Sequence, residues 1–351
     1  MLPLRYSPEQ PRLAGPKSRE ESLYRIATPT RRRVLVGTGA ALAAPFIGSA
    51  AAQTTWPTRP VHVIIPYPPG GGADTVGRIF FTKLSEAFGQ QFVIDNRGGA
   101  GGTIAEAVAA KAEPDGYTIL YDATAFTINP FLYPKLPFDY GKDFQPVFLA
   151  SRVPNLLIVH PSVEAKTVAD VVALGKAAPQ GLDFASSGNG TVQHLSLEMF
   201  RHMTGIKINH IPYRGGGPAL NDVIGGQVKF FFSNGSASLG FVQAGTVKAI
   251  AHTGVGRLAT LPDLPPVSAT VPGFEAFEWN GVFVPTGTPA AIVRKLNAGL
   301  NAMLKEPAVV ERLDKLNVEY KPGTPEDFRA FVAGELEKWG RVVKEANIKL
   351  G

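Results

Sequence analysis

Three glycine-rich segments of the sequence each come directly before a run with helical periodicity. They cover residues 70–72, 188–190 and 215–217. The first turn of a helix has backbone N–H groups without partners inside the helix, and the helix dipole makes that end partly positive. Helix beginnings therefore bind anions well. Three such segments in one chain indicate a site for an anionic group such as a carboxylate.

The common motifs of nucleotide binding, catalysis and metal binding do not occur in the sequence. Neither G-x-G-x-x-G nor G-x-x-x-x-G-K-[ST] is present, which argues against dinucleotide and P-loop sites. The G-x-S-x-G elbow is also absent, and the chain has no cysteine to serve as a nucleophile. The six histidines lack the spacing of metal ligands. We therefore expect no metal, no cofactor and no catalytic residue.

Two ionisable residues beside the glycine-rich segments leave an enzyme as an alternative. His194 falls in the first turn of the helix predicted after residues 188–190, where it either lines a cleft or has a structural role. Asp74 follows residues 70–72 and fits a helix cap better than a general base. An enzyme on this scaffold would use one of these residues as its acid or base.

Short apolar strands alternate with amphipathic helices along most of the chain. Strands are predicted at 61–65, 92–94, 117–121, 156–159, 182–185, 208–211, 228–232 and 247–251. Asp74, Thr167 and the Thr103/Glu106 pair are predicted caps, and Pro289 is predicted at a first helical position. This alternation predicts an α/β fold with mostly parallel sheets flanked by helices. Ligands of such sheets bind beyond the carboxyl ends of the strands, where the three glycine-rich segments lie.

The basic residues are concentrated at the start of the chain. The formal net charge is +6, but residues 1–52 hold eight Lys and Arg against three acids. The rest of the chain holds 27 bases and 26 acids, and is therefore nearly neutral. A neutral body without basic blocks lacks the charge that phosphate backbones require, so we expect no nucleic-acid partner.

Residues 1–52 have the organisation of an export signal. Thr30-Arg31-Arg32-Arg33 precedes the apolar, small-residue run 36–47, and Ala50-Ala51-Ala52 follows it. The paired arginines resemble a twin-arginine signal, and the apolar run is shorter than the roughly 20 residues of a membrane-spanning helix. We expect cleavage near Ala52 and a periplasmic product.

Ordered motifs along nearly all of residues 56–351 resemble the solute-binding proteins of tripartite tricarboxylate transporters, the Bordetella uptake gene family. The most specific are Pro66-Tyr67-Pro68-Pro69-Gly70-Gly71, Asp95-Asn96-Arg97, Pro114-Asp115-Gly116-Tyr117, Ile128-Asn129-Pro130, Gly188-Asn189-Gly190-Thr191, Pro212-Tyr213-Arg214-Gly215, Trp279-Asn280-Gly281 and Gly287-Thr288-Pro289. The resemblance implies a two-lobed periplasmic-binding-protein fold of type II, with a cleft between the lobes. Residues 53–155 and 282–351 would form one lobe, and residues 156–281 the other.

The resemblance also implies a set of ligand-binding residues. In this family the Pro-Pro-Gly-Gly loop of one lobe and the Gly-Asn-Gly loop of the other meet a carboxylate. Carried onto this chain, the candidates are Tyr67, Gly70, Gly71, Gly72, Ala73, Thr75, Thr124, Ala125, Asn129, Asn189, Gly190, Thr191, His194, Tyr213 and Arg214.

The expected function is capture of a small organic carboxylate and its delivery to integral-membrane transporter subunits by a monomeric receptor. A periplasmic ligand sensor for a membrane kinase and an enzyme on the same scaffold are the alternatives. The ligand can be a dicarboxylate, a citrate-like acid, an amino acid or an aromatic acid on the sequence alone.

Overall fold

A computed structural model of the chain describes residues 55–345 and 347–349. The predicted export segment, residues 1–52, lies outside these described residues. The strands are β1 Val61–Ile65, β2 Phe92–Asn96, β3 Thr118–Ala123, β4 Phe144–Val159, β5 Leu182–Ser186, β6 Ile208–Pro212, β7 Phe230–Asn234, β8 Lys248–His252 and β9 Phe277–Pro285. The helices are α1 Gly72–Phe88, α2 Thr103–Ala110, α3 Ala125–Leu132, α4 Val168–Ala177, α5 Val192–Thr204, α6 Gly216–Ile224, α7 Gly235–Gln243, α8 Ala290–Met303, α9 Pro307–Lys315 and α10 Pro325–Glu345.

The strands join in the order β2-β1-β3-β9-β4-β7-β5-β6, and β8 pairs separately with β4. The pairs β1–β2, β1–β3, β5–β6 and β5–β7 are parallel. The pairs that β4 and β9 make are antiparallel. Alternating strands and helices thus form a parallel group at each end of the sheet, which confirms the predicted α/β class.

The two longest strands connect the two parallel groups. β4 pairs over Phe144–Pro154 with β9 and over Asn155–Val159 with β7. β9 pairs with β3 on its other side, and all nine of its residues are buried. The sequence predicted only the last four residues of β4 and did not predict β9. Interior strands packed on both faces lose the polar alternation that marks a strand in a sequence.

Helix beginnings follow the predicted caps in some places and not in others. Thr167 and Asp170 form the predicted capping box of α4. The predicted capping box at Thr103 is wrong, because α2 begins after Gly102 and Glu106 is buried against Tyr140. Asp74 is not the cap of α1, which begins after Gly71. Its carboxylate instead accepts a hydrogen bond from the amide of Gly70.

A smaller correction applies to α8. Pro289 is the residue before the helix rather than its first residue, which is Ala290. The hydroxyl of Thr288 donates to the carbonyl of Pro285 and closes the preceding turn. The difference is one residue, within the range over which helix ends shift with local geometry.

Helices cover both faces of each parallel group. One core packs α1, α8 and α9 on the β1–β3 group, and another packs α2 and α10 on its opposite face. On the β5–β7 group, one core packs α4 and α5, and a separate core packs α6. A fifth cluster joins α3, α5 and α10 through Ile128, Leu195 and Trp339. The predicted lobe boundaries at 155/156 and 281/282 stay a prediction.

Gly281 allows a test of how tightly β9 packs against α10. A Cβ at this position would overlap the ring of Phe328, which is itself buried. We expect Gly281→Ala to lower the free energy of unfolding by about 1–3 kcal/mol, the usual cost of overpacking a core. Urea denaturation followed by circular dichroism measures the change.

Gly334→Ala is the matched control, because Gly334 lies in α10 with no atom within 4 Å of an added Cβ. This variant should raise the free energy of unfolding by up to ~1 kcal/mol, since alanine favours a helix over glycine. Equal destabilisation by the two variants would show that the contact with Phe328 is not the cause.

Candidate functional site

A narrow cavity lies where the carboxyl ends of the strands meet the beginnings of the helices. Its volume open to the centre of a water-sized sphere is about 20 Å³. Its lining residues are Tyr67, Gly71, Gly72, Ala73, Ala123, Thr124, Ala125, Ser187, Thr191, Val192, Gln193, Gly216, Ser233, Asn234, Ala237 and Glu278. Such a volume holds about one water molecule, so a larger ligand requires the walls to move apart.

Five helices begin at this cavity. Lining residues belong to the first turns or N-caps of α1, α3, α5, α6 and α7. The α1 and α6 beginnings are close together, because a Cβ on Gly71 would lie 3.7 Å from the amide nitrogen of Gly216. Each helix beginning adds partial positive charge, so their convergence favours an anion in the cavity.

Several backbone amides at these helix beginnings have no hydrogen-bond acceptor within the described part of the chain. They are the amides of Gly72, Ala73, Ala125, Val192, Gln193 and Gly216. Unsatisfied buried amides are costly, and a bound acceptor removes that cost. The cavity therefore offers neutral donors to an anionic oxygen.

Seven of the fifteen predicted ligand-binding residues line this cavity. They are Tyr67, Gly71, Gly72, Ala73, Thr124, Ala125 and Thr191. The others do not line it: Gly70, Thr75, Asn129, Asn189, Gly190, His194, Tyr213 and Arg214. The role of all fifteen in ligand binding stays a prediction.

The residues away from the cavity wall have other contacts. The amide of Gly70 donates to Asp74, and the hydroxyl of Thr75 donates to the carbonyl of Gly71. The Asn129 side chain donates to the carbonyl of Gly101 over 3.0 Å. Tyr213 donates to Asp222 over 2.6 Å. The bonds of Gly70 and Thr75 shape the turn that carries the lining residues Gly71, Gly72 and Ala73.

His194 lies behind the 188–190 loop and supports it. Its Nδ1 accepts from the amide of Gly190 over 3.3 Å, which removes that amide from the donors available to a ligand. Its ring stacks on His210 at a centroid distance of 4.2 Å, and His210 is hydrogen-bonded to Ser186 over 2.6 Å. Burial lowers the pKa of His194 to about 3 and that of His210 to about 4. Both rings are therefore neutral at pH 7, which suits a support better than an acid catalyst.

Five polar residues in the cavity wall were not among the predicted ligand-binding residues: Ser187, Gln193, Ser233, Asn234 and Glu278. Gln193 is the second residue of α5, so the rule that helix first turns face the ligand could have found it. Asn234 ends the apolar strand β7, and Glu278 is a lone acid between Phe277 and Trp279. A polar residue inside an apolar run, or at its end, is a signal in the sequence that could have identified Asn234 and Glu278 as candidates.

A buried acidic cluster lies beside the cavity. Tyr67 lines the cavity, and its hydroxyl donates to Asp122 over 3.0 Å. Glu106 accepts from the hydroxyl of Tyr140, and neither carboxylate pairs with a cation within the described ranges. Burial raises the pKa of Glu106 well above its ordinary value and that of Asp122 to about 6. The hydrogen bond to Asp122 fixes Tyr67 in the cavity wall. Burying the two acids without a cation lowers the stability of the fold.

Metal binding has no support in residues 55–345 and 347–349, where no group of His, Asp and Glu has the arrangement of a metal site. None of the helices in these ranges combines the length and hydrophobicity needed to cross a bilayer.

The acidic cluster should make the protein less stable as the pH rises. A carboxyl whose pKa is higher in the folded chain stabilises it fully below the unfolded pKa, roughly 4, and loses that contribution as the pH rises toward the folded value. Glu106→Gln removes one such group. The quantity to measure is the melting temperature of this variant minus that of the unmodified protein. We expect this difference to increase as the pH rises from about 5 to about 8.

Exposed Glu113→Gln is the control for this measurement and should give a constant difference over the same range. His194 and His210 change stability with pH in the opposite sense, because burial lowers their pKa. They are present in every variant and cancel in the difference. A difference for Glu106→Gln that does not change with pH would contradict the raised pKa.

Known proteins resemble this chain over most of its length. Protein BugT of Bordetella pertussis is 34% identical over 321 residues, covering 91% of this chain and 98% of BugT. Rpa4515 of R. palustris, solved with adipate, is 37% identical with a TM-score of 0.82, covering 84% of this chain and 99% of that one. MatC of Rhodopseudomonas palustris, solved with bound malate, is 32% identical with a TM-score of 0.78, covering 82% and 99%.

The structure of the periplasmic binding protein BugD is 32% identical with a TM-score of 0.81, covering 84% of this chain and 99% of that one, which confirms the predicted periplasmic-binding-protein fold. The family model described as "Tripartite tricarboxylate transporter family receptor" matches residues 76–348. That match begins inside α1 and covers every later element to the end of α10, including the whole of α3, α5, α6 and α7, which begin at the cavity. The chain belongs to the tripartite tricarboxylate transporter receptor family, which includes the Bug proteins.

Proposed function

We propose that this chain is an exported receptor that captures a small organic carboxylate and delivers it, chemically unchanged, to integral-membrane transporter subunits. The observation that carries the proposal is the convergence of five helix beginnings, with unpaired amides, on one cavity. Hydrogen bonds to a charged acceptor are each worth roughly 1.5–3 kcal/mol. Several of them can hold a carboxylate without a basic side chain.

Relatives support a carboxylate as the ligand. Rpa4515 was solved with adipate and MatC with malate, and both are more than 30% identical to this chain. The receptor family is associated by its description with tripartite tricarboxylate transporters. The proposed partners are therefore the membrane subunits of such a transporter. The proposed mature form is a periplasmic monomer produced by cleavage near Ala52.

Capture in this proposal includes opening and closing of two lobes. Near residues 154–155, β4 stops pairing with β9 and begins to pair with β7. In the sequence, β4 leads into the segment from α4 to β8, and β9 leads out of it. A hinge at these strands separates α1 and α3 from α5, α6 and α7. Closing brings the five helix beginnings around the ligand and excludes water, and the ligand stabilises the closed form by its tighter binding to it.

A thermal-shift screen against small carboxylic acids tests the function. A ligand that binds only the folded protein raises the melting temperature with its concentration. We expect at least one carboxylate to do so, and mass spectrometry to recover it unchanged after incubation. A chemically altered compound would favour an enzyme instead.

Asn234 provides a test of the site. Its Oδ1 accepts from the amide and the hydroxyl of Ser236, whereas its Nδ2 has no partner among the described residues. Asn234→Asp keeps both accepted bonds and adds a negative charge to the cavity wall. We expect the variant to bind the carboxylate found in the screen at least about tenfold more weakly in isothermal titration calorimetry, because like charges repel in a narrow cavity.

Exposed Asn221→Asp in α6 makes the same chemical change away from the cavity wall and should keep the affinity of the unmodified protein. Unchanged affinity in Asn234→Asp would place the carboxylate elsewhere.

A further inference from the structure

Glu278 is an acid in the wall of a cavity that otherwise favours anions. It lies in β9 between Phe277 and Trp279, and 6% of its surface is exposed. Its Oε2 accepts a hydrogen bond from the side-chain amide of Gln193. Glu278 is itself one of the residues that line the cavity, so its carboxylate can reach a bound molecule.

No cation of the described chain neutralises Glu278. The lining residues include neither Lys nor Arg, and Glu278 is in none of the ion pairs among the described residues. Its polar neighbours are the amides of Gln193, Asn234 and Asn280. Burial raises the pKa of Glu278 despite these amides. Among the described residues, the Gln193 amide therefore donates a hydrogen bond to this carboxylate, and no cation balances its charge.

The position of Glu278 is fixed by its neighbours. The Gln193 amide that donates to Glu278 also donates to the Oδ1 of Asn155 over 3.2 Å. Asn155 is buried, and its backbone amide donates to the hydroxyl of Thr253 over 2.8 Å. A carboxylate held in this way offers a defined acceptor and loses little freedom when it bonds to a ligand.

The cavity thus offers two chemically different ends to one small molecule. The unpaired amides at the helix beginnings suit a carboxylate, whereas Glu278 suits a group that donates hydrogen bonds and carries positive charge. Two unit charges 4 Å apart interact by about 4 kcal/mol at an effective dielectric constant near 20. A second carboxylate next to Glu278 would therefore be repelled, and an ammonium group would be attracted.

We propose that Glu278 makes this receptor select a zwitterionic amino acid, whose carboxylate binds the helix beginnings and whose ammonium group binds Glu278. This inference rests on the proposed carboxylate-binding function and narrows its substrate class. It also assigns to Glu278, which no sequence motif indicated, the choice between amino acids and dicarboxylates.

Matched compounds test the inference in the unmodified protein. Succinate, glutarate and adipate are the dicarboxylates. In 4-aminobutyrate, 5-aminopentanoate and 6-aminohexanoate an aminomethyl group replaces one carboxyl, and aspartate, glutamate and 2-aminoadipate add an ammonium group. We expect at least one amino compound to bind about tenfold or more tightly than its matched dicarboxylate in isothermal titration calorimetry, because a charge-assisted bond replaces repulsion.

Glu278→Gln then removes the charge and keeps the size of the side chain. We expect this variant to bind the preferred amino compound about tenfold or more weakly and its matched dicarboxylate no more weakly than before, so that the preference disappears. Glu275→Gln is the control, since Glu275 is exposed three residues earlier, and should keep the full preference.

Each other outcome overturns the inference in a distinguishable way. If no amino compound binds better than its dicarboxylate in the unmodified protein, the inference is wrong whether or not the variant folds. If Glu278→Gln weakens the dicarboxylates instead, Glu278 acts as a protonated donor to a second carboxyl. If none of the nine compounds and no acid of the wider screen binds, the proposed function itself fails.

Discussion

Anion binding in this structure depends on backbone amides that have no partner among residues 55–345 and 347–349. Five helices begin at one cavity, and the amides of residues such as Gly72, Val192 and Gly216 lack acceptors within the described ranges. This arrangement favours an anion without the desolvation of a buried basic side chain. It also constrains the sequence, because a Cβ at Gly72 would overlap the side chain of Asn234. Glycine at this helix beginning therefore allows α1 and the Asn234 side chain to approach each other closely.

The sheet supports this arrangement through β4 and β9. These antiparallel strands connect two parallel groups, and each group directs the carboxyl ends of its strands and the first turns of its helices toward the cavity. Thr124 joins α3 to β9, because its hydroxyl accepts from the amide of Trp279 over 2.9 Å. The same strand β9 carries Glu278. The central strand pair therefore both connects the sheet and contributes to the cavity wall.

Three buried acids are an electrostatic cost of the fold. Glu106 and Asp122 lie behind Tyr67, and Glu278 lies in the cavity wall, all without a cation in the described chain. Burial raises the pKa of each of the three. Glu106 and Asp122 are bonded to tyrosine hydroxyls, so they fix a wall. Glu278 is bonded to a glutamine amide and faces the cavity, so a ligand can complete its environment.

The sequence by itself determined the α/β class and the three glycine-rich helix beginnings, among them the lining residue Gly72, because strand–helix alternation and glycine before a helix are local signals. The lining residue Tyr67 was identified through the family resemblance instead. Tertiary structure alone decided the roles of Glu106, His194 and Glu278. Glu106 has the spacing of a capping box, yet packing against Tyr140 buries it. His194 lies in a first turn, yet it supports Gly190. Glu278 lies in a strand without alternation, and only the pairing of β9 with β3 and β4 brings it to the cavity. Burial and charge are set by neighbours distant in sequence, which no local pattern encodes.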